Sequence, residues 1–117
     1  MEYCEHKKSS KKQLGKSYSD VHYYIDHFFE AFGIGHRLIF HHKLGIEKIV
    51  SRFGEEARQP AELHIREDLE GFLPEDWSYY GNPIFVSLEV RAKIFFILRE
   101  VYGQEVFQKV MKKYLIL

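Results

Sequence analysis

The chain is poor in cysteine, in net charge and in long apolar runs. Its single cysteine, Cys4, cannot form an internal disulfide and excludes a zinc site built from several cysteines. Lys and Arg (17) balance Asp and Glu (17), so overall charge does not attract nucleic acid or a membrane surface. No apolar run approaches the roughly 18–20 residues that span a bilayer, and the first residues lack the apolar stretch of a signal peptide. We therefore expect a cytoplasmic protein without a membrane partner.

The alternation of polar and apolar residues that is typical of a β-strand is also missing. The sequence has no phosphate-cradling glycine loop, nucleophile elbow or Cys–His pair, so the chemistries that need them have little support. Apolar residues recur instead at three- and four-residue spacing, which indicates helices with one buried face. With 45% hydrophobic residues in a chain of 117, this pattern predicts a single all-α domain.

The spacing predicts a bundle of about five helices over residues 18–117. The expected helices cover residues 20–32, 34–53, 59 to about 71, 88–103 and 104–115. Between the third and fourth helices, residues 74–85 form an aromatic loop with a turn at Gly81-Asn82-Pro83. Trp77, with Tyr79 and Tyr80, is expected to form a lid on the core.

Residues 1–17 form a lysine-rich N-terminal segment. Its basic residues are Lys7, Lys8, Lys11, Lys12 and Lys16, against only Glu2 and Glu5. Such a composition predicts a short polar arm, solvated and partly disordered, that precedes the helical domain.

Histidine is the unusual component, with seven residues. On a continuous helix over residues 34–53, turning about 100° per residue, His42 falls in the middle of the apolar arc. His41 projects to the opposite, polar side, and His36 lies near the border. Gly45, three residues after His42, leaves room for something to approach that face. A buried imidazole needs a partner, so His42 is the candidate for a buried polar site.

Two other helices offer partners for His42. His22 and Asp26 lie four residues apart on the first helix, and His64 and Asp68 repeat that spacing on the third. If these edges pack together, His22, Asp26, His42, His64 and Asp68 form one polar site between helices. Imidazoles and carboxylates from facing helices can bind a divalent metal such as Zn, Mn or Fe, here through His22, His42, His64 and Asp68. They can also serve as general acids and bases, or be separate, locally bonded residues.

Two residues near these candidates are expected to lie elsewhere. His27 projects from the polar side of the first helix and is expected at the surface. Glu67 is expected to face solvent.

Several short motifs follow one another along residues 6–77. The first are His6-x-x-Ser9-Ser10-x-Lys12, Gly15-Lys16 and Asp20-Val21-His22-x-x-x-Asp26. They are followed by His36-Arg37, His41-His42-x-x-Gly45-Ile46, Phe53-Gly54, His64-Ile65-Arg66-Glu67-Asp68-Leu69, Pro74 and Asp76-Trp77. Their order resembles an uncharacterised bacterial and phage family of unknown function. The chain departs from that family at Leu14, where the family has an aromatic residue, and at Tyr24, where it has tryptophan.

The resemblance implies no known activity, but it suggests that the lysine-rich arm belongs to the same pattern as the helix histidines. If the arm is ordered over the site, His6, Ser9, Ser10 and Lys12 can contact an anionic ligand such as a phosphate.

Three functions remain open. The first is a small metal-dependent or acid/base hydrolase-like protein that acts on an anionic ligand. The second is a phage- or defence-associated interaction module in which the histidines are structural, with residues 114–117 as a contact in a homodimer. The third, nucleic-acid binding through the lysine-rich arm, is the least supported as a main function.

Overall fold

The computed structural model describes residues 3–81 and 86–116, and the side chains of residues 4–81 and 86–114. This part of the chain contains no β-strand, so the prediction of an all-α fold is confirmed. Asn82-Pro83 of the expected turn, and the side chains of residues 115–117 in the expected dimer contact, lie outside the described residues. None of the described helices has the length and apolar character needed to cross a membrane.

The described residues form eight α-helical segments. These are α1 (Tyr3–Leu14), α2 (Ser19–Asp26), α3 (Phe29–Phe32), α4 (Arg37–Phe40), α5 (Lys43–Phe53), α6 (Arg58–Asp68), α7 (Leu88–Tyr102) and α8 (Gln104–Ile116). Because α3 and α4 are single turns, the six longer helices come close to the expected number of about five. Short 3-10 turns cover Gly33–His36, Glu55–Ala57 and Trp77–Tyr80.

The apolar faces of the helices meet in one core. Its fully or almost fully buried members are Ile25, Leu38, Ile39, Phe40, Ile46, Ile49, Ala57, Ala61, Ile65, Trp77, Ile94 and Leu98. Burying one large aliphatic or aromatic side chain contributes about 1.5–3 kcal/mol, so this set holds the helices together. Trp77 belongs to the core itself rather than to a lid. Tyr80 is half-buried, and its hydroxyl donates to the carbonyl oxygen of His41 at 2.6 Å.

The continuous helix expected over residues 34–53 is wrong, because the chain leaves the helical conformation at His41 and His42. His41 has φ −84° and ψ 56°, and His42 is extended with φ −165° and ψ 174°. His42 instead caps α5, since its Nδ1 accepts the backbone N–H of Gly45 at 3.0 Å. The space beside Gly45 is filled by the chain itself: a Cβ there would lie 2.1 Å from the carbonyl oxygen of Phe40.

The expected first helix is also interrupted, since α2 ends at Asp26 and α3 begins at Phe29. The solvated arm is likewise wrong for residues 3–14, which form α1. This helix packs against α2 and α6 and buries His6 and Ser10 completely.

Candidate metal centre

Six titratable side chains from four helical segments meet inside the bundle. They are His6 from α1, His22 and Asp26 from α2, His41 directly after α4, and His64 and Asp68 from α6. The four imidazoles are fully buried. In both α2 and α6 the histidine and the aspartate lie four residues apart and project from one face. The packing of α2 against α6 brings the two pairs, His22 with Asp26 and His64 with Asp68, into one cluster.

Four donor atoms of this cluster lie close to one another. Asp26 Oδ1 lies 3.1 Å from Nε2 of both His41 and His64. Asp68 Oδ2 lies 3.2 Å from His41 Nε2 and 3.5 Å from His64 Nε2. All four atoms lie within 4.8 Å of one another. We call Asp26, His41, His64 and Asp68 the four-ligand site.

The two carboxylates of the four-ligand site are both ionised although they are close together. Burial raises the pKa of Asp26, but His36, His41 and His64 outweigh burial and hold that pKa well below its usual range. Burial also raises the pKa of Asp68, yet contacts with His41 and His6 hold it well below the usual range. Two like charges this close repel each other unless positive charge lies between them. The neighbouring imidazoles offset this repulsion, and a bound cation would offset it further.

His41 has two unsatisfied ring nitrogens. The side chain is fully buried, and neither Nδ1 nor Nε2 makes a hydrogen bond with any residue that the structure describes. The approaches of Asp26 and Asp68 to Nε2 thus lack hydrogen-bond geometry. A buried polar atom without a partner costs about 1–3 kcal/mol. Coordination of a cation by Nε2 would remove that cost for this atom.

A chain of hydrogen bonds runs from His64 to α1. His64 Nδ1 lies 2.8 Å from His22 Nδ1, and His22 Nε2 is bonded to the hydroxyl of Ser10. Burial lowers the pKa of His22 to about 3 and that of His64 to about 4, so both rings are neutral near pH 7. Neutral imidazoles and hydroxyls can each donate or accept, so the chain permits either tautomer of His64. When His64 Nδ1–H donates to His22, a lone pair on His64 Nε2 faces the two carboxylates.

His6 lies against the other side of His64 and is held there by Glu67. His6 Nδ1 lies 3.2 Å from Glu67 Oε1, and the hydroxyl of Ser9 donates to the second oxygen of Glu67. Burial lowers the pKa of His6, but Asp68 and Glu67 outweigh burial and hold that pKa above its ordinary value. The expectation that Glu67 only faces solvent is wrong.

The cluster approaches solvent on the side of His36 and Arg37. His36 donates from Nδ1 to the carbonyl oxygen of Gly33 at 2.7 Å, and its Nε2 lies 3.1 Å from Asp26 Oδ1. Arg37 Nη2 lies 4.0 Å from Asp68 Oδ1. The side chains of Asp26 and Arg37 are 21% and 26% exposed, so the cluster reaches the surface on this side.

The structure reverses the expected roles of His41 and His42. His41 enters the cluster and does not face water. His42 is buried beside Trp77 and Tyr102, donates from Nε2 to the carbonyl oxygen of Leu38 at 2.9 Å, and lies outside the cluster. Burial lowers the pKa of His42 to about 4, so this imidazole is neutral. The reversal follows from the break between α4 and α5, because a helical projection holds only while the helix is continuous.

The four residues expected to contact an anionic ligand do not share one surface. His6 and Ser9 are bonded to Glu67, Ser10 is bonded to His22, and Lys12 lies on the exposed side of α1. Their contact with an anion stays a prediction.

Besides His41 and His42, three histidines lie in surroundings that differ from the expected ones, namely His6, His36 and His27. His6, Ser9 and Ser10 have helical spacing, which is the signal that could have placed His6 on a buried face of α1. His36 is buried rather than at a border. His27 is half-buried, since its ring packs against Phe28 at 4.1 Å between centroids and its Nδ1 bonds to the carbonyl oxygen of Tyr24.

Comparisons with models of protein families, with curated proteins and with solved structures found no match. The resemblance of residues 6–77 to a bacterial and phage family therefore stays a prediction.

Proposed function

We propose that the four-ligand site binds a divalent transition-metal ion and that the protein is a metal-dependent hydrolase-like protein for an anionic substrate. The spacing of the four donor atoms carries this proposal. With metal–ligand bonds of about 2.0–2.2 Å, neighbouring ligand atoms lie about 2.8–3.6 Å apart in octahedral and tetrahedral sites. The nitrogen–oxygen distances between Asp26, His41, His64 and Asp68 run from 3.1 to 3.5 Å, which fits this range.

The types of donor favour particular metals. Imidazole suits Zn, Fe and related transition metals, and carboxylate also suits Mn. Two carboxylates balance the charge of a divalent ion, while the two neutral imidazoles add none. A six-coordinate ion such as Mn²⁺ or Fe²⁺ would keep positions for water beyond the four protein ligands. A four-coordinate Zn²⁺ would be closed by the same ligands.

A hydrolytic reaction fits such a centre because a bound metal ion lowers the pKa of a coordinated water and polarises a substrate oxygen. Arg37, which is partly exposed and lies next to Asp68, provides a cation at the solvent side of the cluster. A guanidinium there suits the negative charge of a phosphate ester or a carboxylate. We therefore place the substrate between Arg37 and the metal.

Metal binding can be tested with a variant that keeps the shape of one ligand. Asp26→Asn removes the charge from an oxygen that lies near both ligand imidazoles. The control is Asp20→Asn, an exposed position in the same helix α2. Elemental analysis and calorimetric titration with Mn²⁺, Co²⁺ and Zn²⁺ should show bound metal in the wild type and in the control. In Asp26→Asn the affinity for the metal should fall by more than about 100-fold. This exceeds the loss that is typical for residues that only hydrogen-bond to a metal ligand.

Hydrolysis is tested on the same three proteins with p-nitrophenyl esters of phosphate. Activity should require the metal and should be lost in Asp26→Asn. If no protein binds metal above background, the metal proposal fails. If metal binds but no ester is hydrolysed at any metal concentration, the hydrolytic role fails and the metal site stands.

The second candidate is an interaction module whose histidines only stabilise the bundle. His36 and His42 favour it, because each donates to a backbone carbonyl within its own segment. An apolar groove lined by Phe28, Phe32, Phe96 and Ile97 would offer such a module a surface for a partner. Under this view, replacing histidines of the cluster lowers the free energy of unfolding while metal has no effect on it. Thermal unfolding of the wild type with and without Mn²⁺ or Zn²⁺ distinguishes the two candidates.

A further inference from the structure

Two buried imidazoles of the cluster, His6 and His22, lie outside the four-ligand site, and both ring nitrogens of His22 are hydrogen-bonded. The side chain of His6 is fully buried, and its Nε2 makes no hydrogen bond within residues 3–81 and 86–116. That nitrogen nevertheless lies 3.2 Å from Asp68 Oδ1. It stands in the same relation to a carboxylate oxygen as His41 Nε2 does in the four-ligand site.

The ring of His6 cannot share a metal with the ring of His64. The two rings are stacked, with centroids 3.6 Å apart and an angle of 19° between their planes. Imidazole lone pairs lie in the ring plane, so those of two stacked rings run side by side and do not converge. Their separation, however, matches the about 3.5–4 Å between the ions of two-metal centres. Two stacked imidazoles can therefore each bind one ion of a pair.

Asp68 faces both sides of this stack. Its Oδ2 approaches the ligand nitrogens of His41 and His64, and its Oδ1 approaches His6. One carboxylate oxygen thus belongs to the four-ligand site and the other to a neighbouring position. This is the arrangement of a carboxylate that bridges two ions.

The surroundings of His6 prepare its Nε2 as a ligand. Glu67 accepts a hydrogen bond from His6 Nδ1–H, and Ser9 holds the other oxygen of Glu67. A carboxylate on the far nitrogen of an imidazole fixes its tautomer and raises its basicity toward a metal. In the neutral ring the lone pair then lies on Nε2, which faces Asp68.

We propose that the cluster is a dinuclear centre, in which His6 Nε2 and Asp68 Oδ1 bind a second divalent ion next to the ion of the four-ligand site. This inference rests on the proposed metal site and extends it. The second ion has two protein ligands among the described residues, so water or the oxygens of a phosphate ester complete its coordination. Arg37 Nη2, 4.0 Å from the same oxygen of Asp68, repels a cation there. The second ion therefore binds more weakly than the first and exchanges more readily.

The number of bound ions tests the proposal. The metal-free full-length protein is titrated with Mn²⁺, and bound ions are counted by elemental analysis after rapid desalting and by calorimetry. The wild type should bind two ions in two steps of different affinity. His6→Ala and His6→Gln should each bind one ion with the affinity of the first step. Glu67→Gln should weaken the second step by about 10–100-fold and leave the first unchanged.

Two controls separate this result from a general loss of structure. Glu62→Gln lies on the same helix as Glu67 at a partly exposed ion pair with Arg66, and it should bind two ions. His27→Ala removes a half-buried histidine that lies outside the cluster and should also bind two. Far-UV circular dichroism identifies any variant that does not fold, and Glu67→Gln then takes the place of the His6 variants.

Electron paramagnetic resonance provides an independent reading. Two Mn²⁺ ions bridged by Asp68 should give an exchange-coupled spectrum, and His6→Gln should give the spectrum of isolated ions.

A wild type that binds one ion overturns the dinuclear centre and leaves the four-ligand site intact. Two ions in the His6 variants also overturn it, because the second ion then lies elsewhere. A wild type that binds none overturns both proposals.

Discussion

Replacing His42 by alanine should destabilise the fold and leave metal binding unchanged. His42 accepts the N–H of Gly45 at 3.0 Å and donates to the carbonyl oxygen of Leu38 at 2.9 Å. Alanine removes both bonds. His41→Ala should instead lose metal binding, because His41 is a proposed ligand.

The magnitude for His42→Ala follows from the two bonds. Losing the side-chain cap of α5 costs about 1 kcal/mol. Leaving the buried carbonyl of Leu38 without its imidazole donor costs about 1–3 kcal/mol. We expect the free energy of unfolding to fall by about 2–4 kcal/mol. Unfolding entropy of about 2.1 cal/mol/K per residue amounts to about 0.25 kcal/mol/K for 117 residues. A loss of about 3 kcal/mol therefore lowers Tm by about 12 °C.

His42→Asn is the matched variant, since asparagine is among the best capping residues and restores only the bond to Gly45. It should recover about 1 kcal/mol of the loss. Urea unfolding in EDTA, followed by circular dichroism and by the fluorescence of Trp77, measures both differences. Titration with Mn²⁺ then compares the folded variants with His41→Ala. If His42→Ala keeps wild-type stability but loses the metal, α4 and α5 form one continuous helix, and our assignment of the two histidines is refuted.

Two further predictions concern the backbone beside the site and the turn that contains Trp77. Gly45→Ala should destabilise by about 2–3 kcal/mol, because its Cβ would clash with backbone atoms of Phe40. A Cβ at Gly35 would come too close only to the end of the Ile94 side chain, which can move, so Gly35→Ala should lose less stability in urea unfolding. Equal losses would contradict this reasoning. Asp76→Asn should cost about 1 kcal/mol at pH 7, since asparagine can keep the cap of the 3-10 turn at Trp77–Tyr80 but loses the charge that pairs with Lys113. Burial raises the pKa of Asp76, but Lys113 and Ser78 outweigh burial and hold it below its ordinary value. The carboxylate therefore stabilises the fold above about pH 4 and loses this effect as pH falls through the folded pKa. The difference in the free energy of unfolding between wild type and Asp76→Asn, measured by urea unfolding at several pH values, should shrink in acid. A difference that grows in acid would argue against the role of the Asp76 carboxylate.

The helical class and the two His–Asp pairs are accessible from local spacing. Apolar residues at three- and four-residue intervals mark α6, α7 and α8 close to their observed bounds. The same geometry places His22 beside Asp26 and His64 beside Asp68, because residues four apart share a face in any α-helix. These properties depend on neighbours within one segment, so no knowledge of the packing is needed.

Whether residues 3–14 form a packed helix or a solvated arm depends on their contacts with other helices. The buried face of α1 carries His6 and Ser10, which are polar and carry no hydrophobic signal. Their burial is compensated by partners on α2 and α6, namely His22 and Glu67, which are distant in the chain. A polar segment that is stabilised by distant polar partners cannot be distinguished from a solvated arm by composition.

The pair at His41-His42 shows where local reasoning ends. Helical spacing alone places His42 inward and His41 outward. In the folded chain the carbonyl of Phe40 occupies the space beside Gly45, and His42 caps α5. His41 lies between Asp26 and Asp68. Spacing along the chain decides which side chains share a helix face, whereas contacts between segments decide where a helix breaks and which of two adjacent histidines meets the carboxylates.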